Sequence, residues 1–472
     1  MRTEKKITRL LLPLLLFALL LSTLAPVCFA VGDEAAGPDP AFRVEAKAAL
    51  LVDLGSGRDI YEQSAHERIY PASLTKIMTC LVALENGNLS DMVTVTESAL
   101  SGLGADSSSA GLKVGETMSL ENLLYCMMIV SGNDACNVIA EHIAGSVADY
   151  VRMMNERAYN LGCEDTHFNN THGLHDEAHY TTAHDLSLIT QAALKSENFR
   201  QIVSTAEYEL PATNLSEARQ LKTTNLLITK SSSNLFYYPR ANGVKTGYTS
   251  AAGRCLIATA KSGDVELLAI VCGAATTILE TGDLQMESFP QCIRLFDYGF
   301  DGFSYVTAAS PLYPVAQMKV NYSAGSEAVA LAPQKEIKLL LPNNYQQELL
   351  KTEVELSAQS ADAPVSEGDV LGVIRVSYDG EALGETNLCA ITDVARSEFS
   401  SKAANTGAYV QKNWWKWLVL AIVLLMAAFA GLFAWRQLQR RRMRRLRMKR
   451  RREDLAARRR RMEKQDFDGY ER

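Results

Sequence analysis

Apolar and polar positions divide this chain into stretches of different period. Near the start of its central part, the apolar run "AALLVDL" is followed by a Gly-Ser-Gly turn and "RDIYEQ", which predicts a β-hairpin. From Ser73 to about Arg200 the pattern is mostly helical, with breaks at Asn86-Gly87, Ser131-Gly132-Asn133 and Gly145. Then "NGVKTGYTSAAGRCLIATAKSGDVELLAIVCGA" holds three apolar runs separated by "SAAG" and "SGD", a strand meander whose first strand, carrying Lys245, is a candidate sheet edge. Strands at both ends with helices between predict an α/β fold of the α+β type, one antiparallel sheet packed on a helical cluster. From Tyr305 to about Val394 short alternating segments ("EIKLLLP", "TEVELSA", "VLGVIRVSY") predict a small all-β domain. Residues 395–412, rich in Ser, Ala, Lys and Asn, read as a linker.

The two termini carry apolar runs of another kind. Residues 1–30 combine Arg2, Lys5, Lys6 and Arg9 with "LLLPLLLFALLLSTL" and small residues before Val31, the pattern of a secretory signal peptide cut near Ala30. Residues 414–435 hold an uncharged stretch from Trp417 to Trp435, long enough to cross a bilayer and bordered by tryptophan. The tail, 436–472, has 17 basic and 6 acidic residues. Positive charge is retained in the cytoplasm, so the tail is expected inside and the preceding domains outside, on a single-pass membrane protein.

Removing both ends changes the charge picture. The whole chain is at −6, whereas residues 31–435 carry 27 basic and 47 acidic residues. So acidic an ectodomain argues against a nucleic-acid partner, and lipid is favoured over nucleic acid for the tail because it follows the span directly. Eight cysteines remain after the signal, most of them in apolar runs such as "YCMMIV" without framework spacing, as expected of buried free thiols.

Chemistry concentrates in three places. In "YPASLTKIMTCLVALENG", Ser73 and Lys76 are one helical turn apart on a segment apolar in nearly every direction. A serine at the positive end of a helix, beside a lysine whose pKa is lowered by desolvation, makes an activated nucleophile; a serine cap with a lysine reaching to solvent is the plain alternative. "MMIVSGNDACN" places Ser131 and Asn133 where one apolar helix stops and another follows, which projects polar groups into a site or simply makes a turn. "NGVKTGYT" puts Lys245, Thr246 and Gly247 on the first meander strand, suited to a carboxylate and to close backbone approach, or to an ordinary strand.

In this order and spacing the three motifs resemble the S-x-x-K, S-x-N, K-T-G set of the penicillin-recognising serine enzymes. "YPASLTKIMT", "SGNDACNVIAEHIAGS", "THFNNTHGLHDEAHYTTAHDLSLI" and "GVKTGYTSAAGRCLIATA" extend the resemblance over most of residues 42–300 to the low-molecular-weight penicillin-binding proteins that are D-alanyl-D-alanine carboxypeptidases. The following β domain (305–394) and the C-terminal membrane attachment are similar too. The resemblance implies an acyl-enzyme on Ser73, Lys76 as its base and Ser131 as proton relay to the leaving D-alanine. Asn133 would hold the substrate amide, Lys245 and Thr246 its terminal carboxylate. Gly247 allows close approach, and the backbone N–H groups of Ser73 and Tyr248 form the oxyanion hole. It implies peptidoglycan stem peptide as substrate, β-lactams as inhibitors and no cofactor.

Five of the seven histidines, His167, His172, His175, His179 and His184, crowd into eighteen residues. Gly173 interrupts the run, and the resemblance places them beside the cleft as structural residues. A spanning helix with a basic tail departs from the amphipathic membrane helix of many relatives, and the tail's partner is open. A serine β-lactamase is the nearest alternative, although no Glu-x-x-Leu-Asn segment lies between the second and third motifs. A non-catalytic wall-binding or signalling module is the other, against which stands a lysine kept among apolar residues.

Overall fold

The computed structural model describes residues 38–104, 107–278 and 284–467, without the side chains of 284, 399–401, 403–408, 410 and 461–467. The signal-peptide reading of residues 1–30 and the tail's last residues, 468–472, lie outside the described residues. The chain forms two compact units: residues up to Ser310 with 336–353 and 375–385, and residues 311–335, 354–374 and 386 onward.

A five-stranded sheet organises the first unit. Strands β1 (Ala48–Asp53), β2 (Arg58–Gln63), β3 (Ala241–Thr249), β4 (Gly253–Ser262) and β5 (Val265–Ala274) lie in the order β2-β1-β5-β4-β3. All neighbours are antiparallel: Ala48 pairs with Cys272 across β1 and β5, and Lys245 with Ile257 across β3 and β4. The hairpin and meander expected from sequence thus join into one sheet, with β3 at its edge. Every residue of β1 is buried, because both faces are covered and the strand must read as a continuous apolar run. Leu50, Val52, Leu268 and Ile270 face one core; Leu51, Leu267, Ala269 and Val271 face another, beneath Phe289, Leu295 and Phe296.

Helices α1 (Thr75–Asn86), α2 (Leu120–Ile129), α3 (Asn133–Ala144), α4 (Val147–Asn160), α5 (Ala183–Ala193) and α6 (Glu197–Ser204) contribute to the first core, and α7 (Ser288–Gly302) to the second. Side-chain oxygens of Ser119, Ser146, Thr182 and Ser196 cap α2, α4, α5 and α6 by accepting a backbone N–H three residues on. Gly145, at φ +78°, ends α3 in the left-handed conformation. The helical region is more interrupted than its pattern predicts. Strand pairs Met92–Thr94/Thr117–Ser119 and Glu207–Leu210/Arg219–Lys222 fall inside and just after it, too short to show a period.

The helix expected from Ser73 begins instead as a 3-10 turn over Ala72–Leu74 and becomes α-helical at Thr75. Ala72, at φ +49°, bends the entry.

In the second unit, Ala316–Asn321 runs antiparallel to Ala328–Pro333 and parallel to Ser360–Asp362, and Leu331–Pro333 pairs with Leu388–Ala390. Met318, Val320, Val329, Leu331 and Leu388 are buried. Helix α8 (Glu398–Phe467) follows, so the segment expected as a linker is helical from Glu398. Within it, Gln411–Arg460 is long and apolar enough to cross a membrane.

Candidate active site

Lys76 sits inside the first core, on the first turn of α1, and is fully buried. Its Nζ donates to Ser73 Oγ at 3.0 Å, Asn133 Oδ1 at 2.7 Å and the His172 carbonyl at 2.8 Å. None of the three acceptors is charged, and burial lowers the lysine's pKa from its ordinary value. As a free amine it keeps the donations to Asn133 and His172 and turns its lone pair to Ser73 Oγ, whose proton it can accept along that 3.0 Å contact. Lys245, 1% exposed on β3, is also pushed down, to about 7, by burial and by the charge of Lys76.

Two elements bring Ser131 and Asn133 to this lysine. The end of α2 at Ile129 and the start of α3 at Asn133 leave a three-residue turn in which Ser131 has φ +61°. Ser131 Oγ is buried with no hydrogen-bond partner among the described residues, in contrast to most buried hydroxyls. The turn is held by Asp134, which sequence reasoning did not single out. Its carboxylate accepts from the N–H groups of Ala110 and Leu112 and from Ser109 Oγ, and Asn133 N donates to the Ser108 carbonyl. The segment 107–112 is thereby tied to the turn.

Strand β3 closes the opposite side. A Cβ on Gly247 would lie 3.1 Å from the Pro71 carbonyl and 3.2 Å from Ser73 N, so the strand passes directly beside the 3-10 turn that carries Ser73. Lys245 Nζ donates to the Thr246 carbonyl at 3.2 Å, and the hydroxyls of Thr246 and Thr224 lie 2.5 Å apart. Thr224 N donates to the Ile129 carbonyl, so one residue touches both walls. Tyr248 is 52% exposed, with the Arg254 guanidinium 4.0 Å above its ring.

The histidine-rich segment supplies scaffold to this site. His179 Nδ1 accepts from Asn169 N at 3.0 Å, so its other nitrogen, 2.8 Å from Thr75 Oγ1, is the donor; Thr75 Oγ1 in turn donates to the Ala72 carbonyl. His172 Nδ1 accepts from Leu174 N. Burial pushes His172 down to about 3 and His179 to about 4. Gly173, at φ +89°, presses on the turn so closely that a Cβ would lie 1.8 Å from the Ala72 carbonyl oxygen.

Comparison with known proteins identifies the family of the chain. Residues 34–276 match the family described as D-alanyl-D-alanine carboxypeptidase, and residues 308–396 match the penicillin-binding protein 5 C-terminal domain. The D-alanyl-D-alanine carboxypeptidase DacF of Bacillus subtilis is 34% identical over 398 residues, 82% of this chain and 95% of its own. DacC of Escherichia coli, of the same description, is 32% identical over 79% of this chain and 90% of its own. The crystal structure of penicillin binding protein 5 from Haemophilus influenzae superposes with a TM-score of 0.60 at 28% identity, covering 76% of this chain and all of that one.

Proposed function

The chain belongs to the D-alanyl-D-alanine carboxypeptidase family and is a serine-type D-Ala-D-Ala carboxypeptidase of the penicillin-binding fold, and from that premise we propose how its own residues carry the reaction. Ser73 Oγ attacks the carbonyl carbon of the penultimate D-alanine while Lys76 Nζ takes its proton. The tetrahedral oxygen is received by the N–H groups of Ser73 and Tyr248, each such donor being worth roughly 3 kcal/mol. Collapse breaks the C–N bond, and the proton reaches the leaving amine through Ser131, giving D-alanine and an ester on Ser73. Water then attacks the ester, Lys76 accepts its proton, and Ser73 Oγ is restored as the shortened peptide leaves. Asn133 holds the substrate amide, and Lys245 and Thr246 hold the terminal carboxylate, beside Gly247.

The observation that carries this reading is the setting of the Lys76 amine: full burial, uncharged neighbours and a 3.0 Å contact to Ser73 Oγ. A lysine present for packing alone would be better replaced by an apolar residue. The unpartnered Ser131 hydroxyl supports the second role, since a substrate would supply its partner.

The substrate class is the peptidoglycan stem peptide, with β-lactams acylating the same serine. In this reading residues 1–30 are a cleaved signal, 42–300 the catalytic domain, 305–394 the β domain, 395–412 a linker, 414–435 the membrane span and 436–472 a cytoplasmic tail. The basic excess of the tail supports that orientation. The test is D-alanine release from a stem-peptide mimic by the full chain and by Ser73→Ala. Release that disappears in the variant is expected; equal release from both would overturn the assignment of the nucleophile.

A further inference from the structure

The basic end of α8 carries its charge in a form that a flat bilayer does not match. Residues 436–452 hold eleven basic side chains, ten of them arginine, and no acidic one. They continue the helix of the span without interruption: the non-helical residue inside Glu398–Phe467 is Asn413, ahead of the span. Neither Gly nor Pro occurs between Trp435 and Arg460, so the backbone offers no hinge for folding down onto headgroups. At 1.5 Å per residue the run reaches about 26 Å past Trp435. Attraction to an anionic leaflet decays within a Debye length of about 8 Å, which leaves only Arg436 and Arg440 in its range.

The angular distribution points the same way. Ten of the eleven cations lie between Arg440 and Arg452, and at about 100° per residue they surround the helix on all sides. Leu438, Met443, Leu446 and Met448 gather on no common face, so this stretch has no apolar stripe with which to lie in an interface. Like charges four apart, at Arg440/Arg444, Arg441/Arg445 and Arg445/Lys449, disfavour the helix until anions are supplied.

We propose that α8 beyond Arg442 is a docking surface for duplex DNA, lying along the major groove. The inference rests on the cytoplasmic placement of the tail. A helix 10–12 Å across fits a groove about 12 Å wide, and that groove presents phosphates on both flanks where a membrane presents them on one. Arginine rather than lysine suits the pairing, because the planar guanidinium binds phosphate oxygens in bidentate fashion. Cations on every side of the helix meet the phosphates of both flanks, so the run is expected to bind duplexes of any sequence. Sequence adjacency alone favours lipid for this run; the unbroken helix reverses that order.

The test uses the full chain in phosphatidylcholine nanodiscs and a labelled duplex of about two turns, followed by fluorescence anisotropy as salt is raised. The comparison is a variant in which Arg444, Arg445, Arg447, Arg450, Arg451 and Arg452 are each replaced by Gln, a good helix former. Binding by the wild type should weaken by at least about a thousandfold between 50 and 200 mM salt, and the variant's slope of log affinity against log salt should be shallower by about 5. D-alanine release should be equal in the two. Equal duplex affinity in both would overturn the proposal. So would duplex binding abolished by phosphatidylglycerol-rich nanodiscs, which would make the run a lipid-binding element. Cleavage of the tail by protease added outside intact cells would overturn the cytoplasmic placement whatever the anisotropy shows. A protected tail with no duplex binding would overturn this inference alone.

Discussion

His179 Nε2 donates to Thr75 Oγ1 across 2.8 Å, and Thr75 immediately precedes the lysine of the site. Because its other nitrogen accepts from Asn169 N, this ring fits only in the neutral form. His179 and His172 therefore have folded pKa values, about 4 and about 3, below the ordinary 6.5. A depressed folded pKa contributes stability above pH 6.5 that is lost as pH falls through the folded value. Two such groups steepen the decline by up to about 2.7 kcal/mol per pH unit. Calorimetry between pH 7 and 4 should show Tm falling over that window, and His179→Gln should start lower at pH 7 and decline less steeply. A Tm unchanged from pH 7 to 4 would contradict this account.

The two buried lysines should divide the pH profile. If Lys76 acts as the free amine, as proposed, kcat should fall as the medium becomes acidic enough to protonate it. With Lys245 holding the carboxylate as the cation, as proposed, its pKa of about 7 in the free enzyme predicts a KM that rises as pH increases above that value. Steady-state D-alanine release from pH 5 to 9 checks both limbs. Lys245→Ala should raise KM more than it lowers kcat, whereas Lys76→Ala should abolish acylation by a fluorescent penicillin.

Gly173 tolerates no side chain. Its φ of +89° and the 1.8 Å approach of a Cβ to the Ala72 carbonyl oxygen act together. Gly173→Ala should cost about 2–4 kcal/mol in denaturant unfolding and displace the turn that carries Ser73. Slower penicillin acylation at full occupancy would report that displacement; wild-type stability would show that the loop yields freely.

Glu116 has no solvent exposure, and its carboxylate accepts from Arg219 at 2.9 Å, Thr213 Oγ1 at 2.8 Å and Lys113 N at 3.0 Å. Arg219→Ala leaves that carboxylate buried without its cation and should cost about 3 kcal/mol. Glu116→Gln, which keeps the shape, should cost less than Arg219→Ala. Urea unfolding of both variants tests the order, and the reverse order would sink it.

Much of this fold is written in local pattern. The buried strand 48–53, the apolar α1 and the break between α2 and α3 are visible because each is a run of one period with a glycine or asparagine at its end. The three motifs could be found because Ser73, Lys76, Ser131, Asn133 and Lys245 use side chains whose types announce chemistry. What escaped is what has no residue identity or acts at long range. Lys76 donates to the carbonyl of His172, and any residue there would offer the same oxygen. Asp134 follows the motif directly, yet its role depends on N–H groups some twenty residues away. Thr224 is an unremarkable threonine until the sheet edge is placed beside it. The 3-10 entry at Ala72 was hidden for another reason: a positive φ at a non-glycine residue is set by its surroundings, here β3 and Gly173.

Strand β3 borders its sheet, so one side of its backbone is not committed to another strand of that sheet. A peptide laid along that margin is gripped through its own amides, which fixes its direction and register before any side chain is read. Register then dictates where each Cβ must point, and a D-residue sends its methyl group to the side where an L-residue carries only hydrogen. An enzyme built on such a margin can sort substrates by handedness without a pocket shaped for alanine. Its selectivity is stereochemical before it is steric.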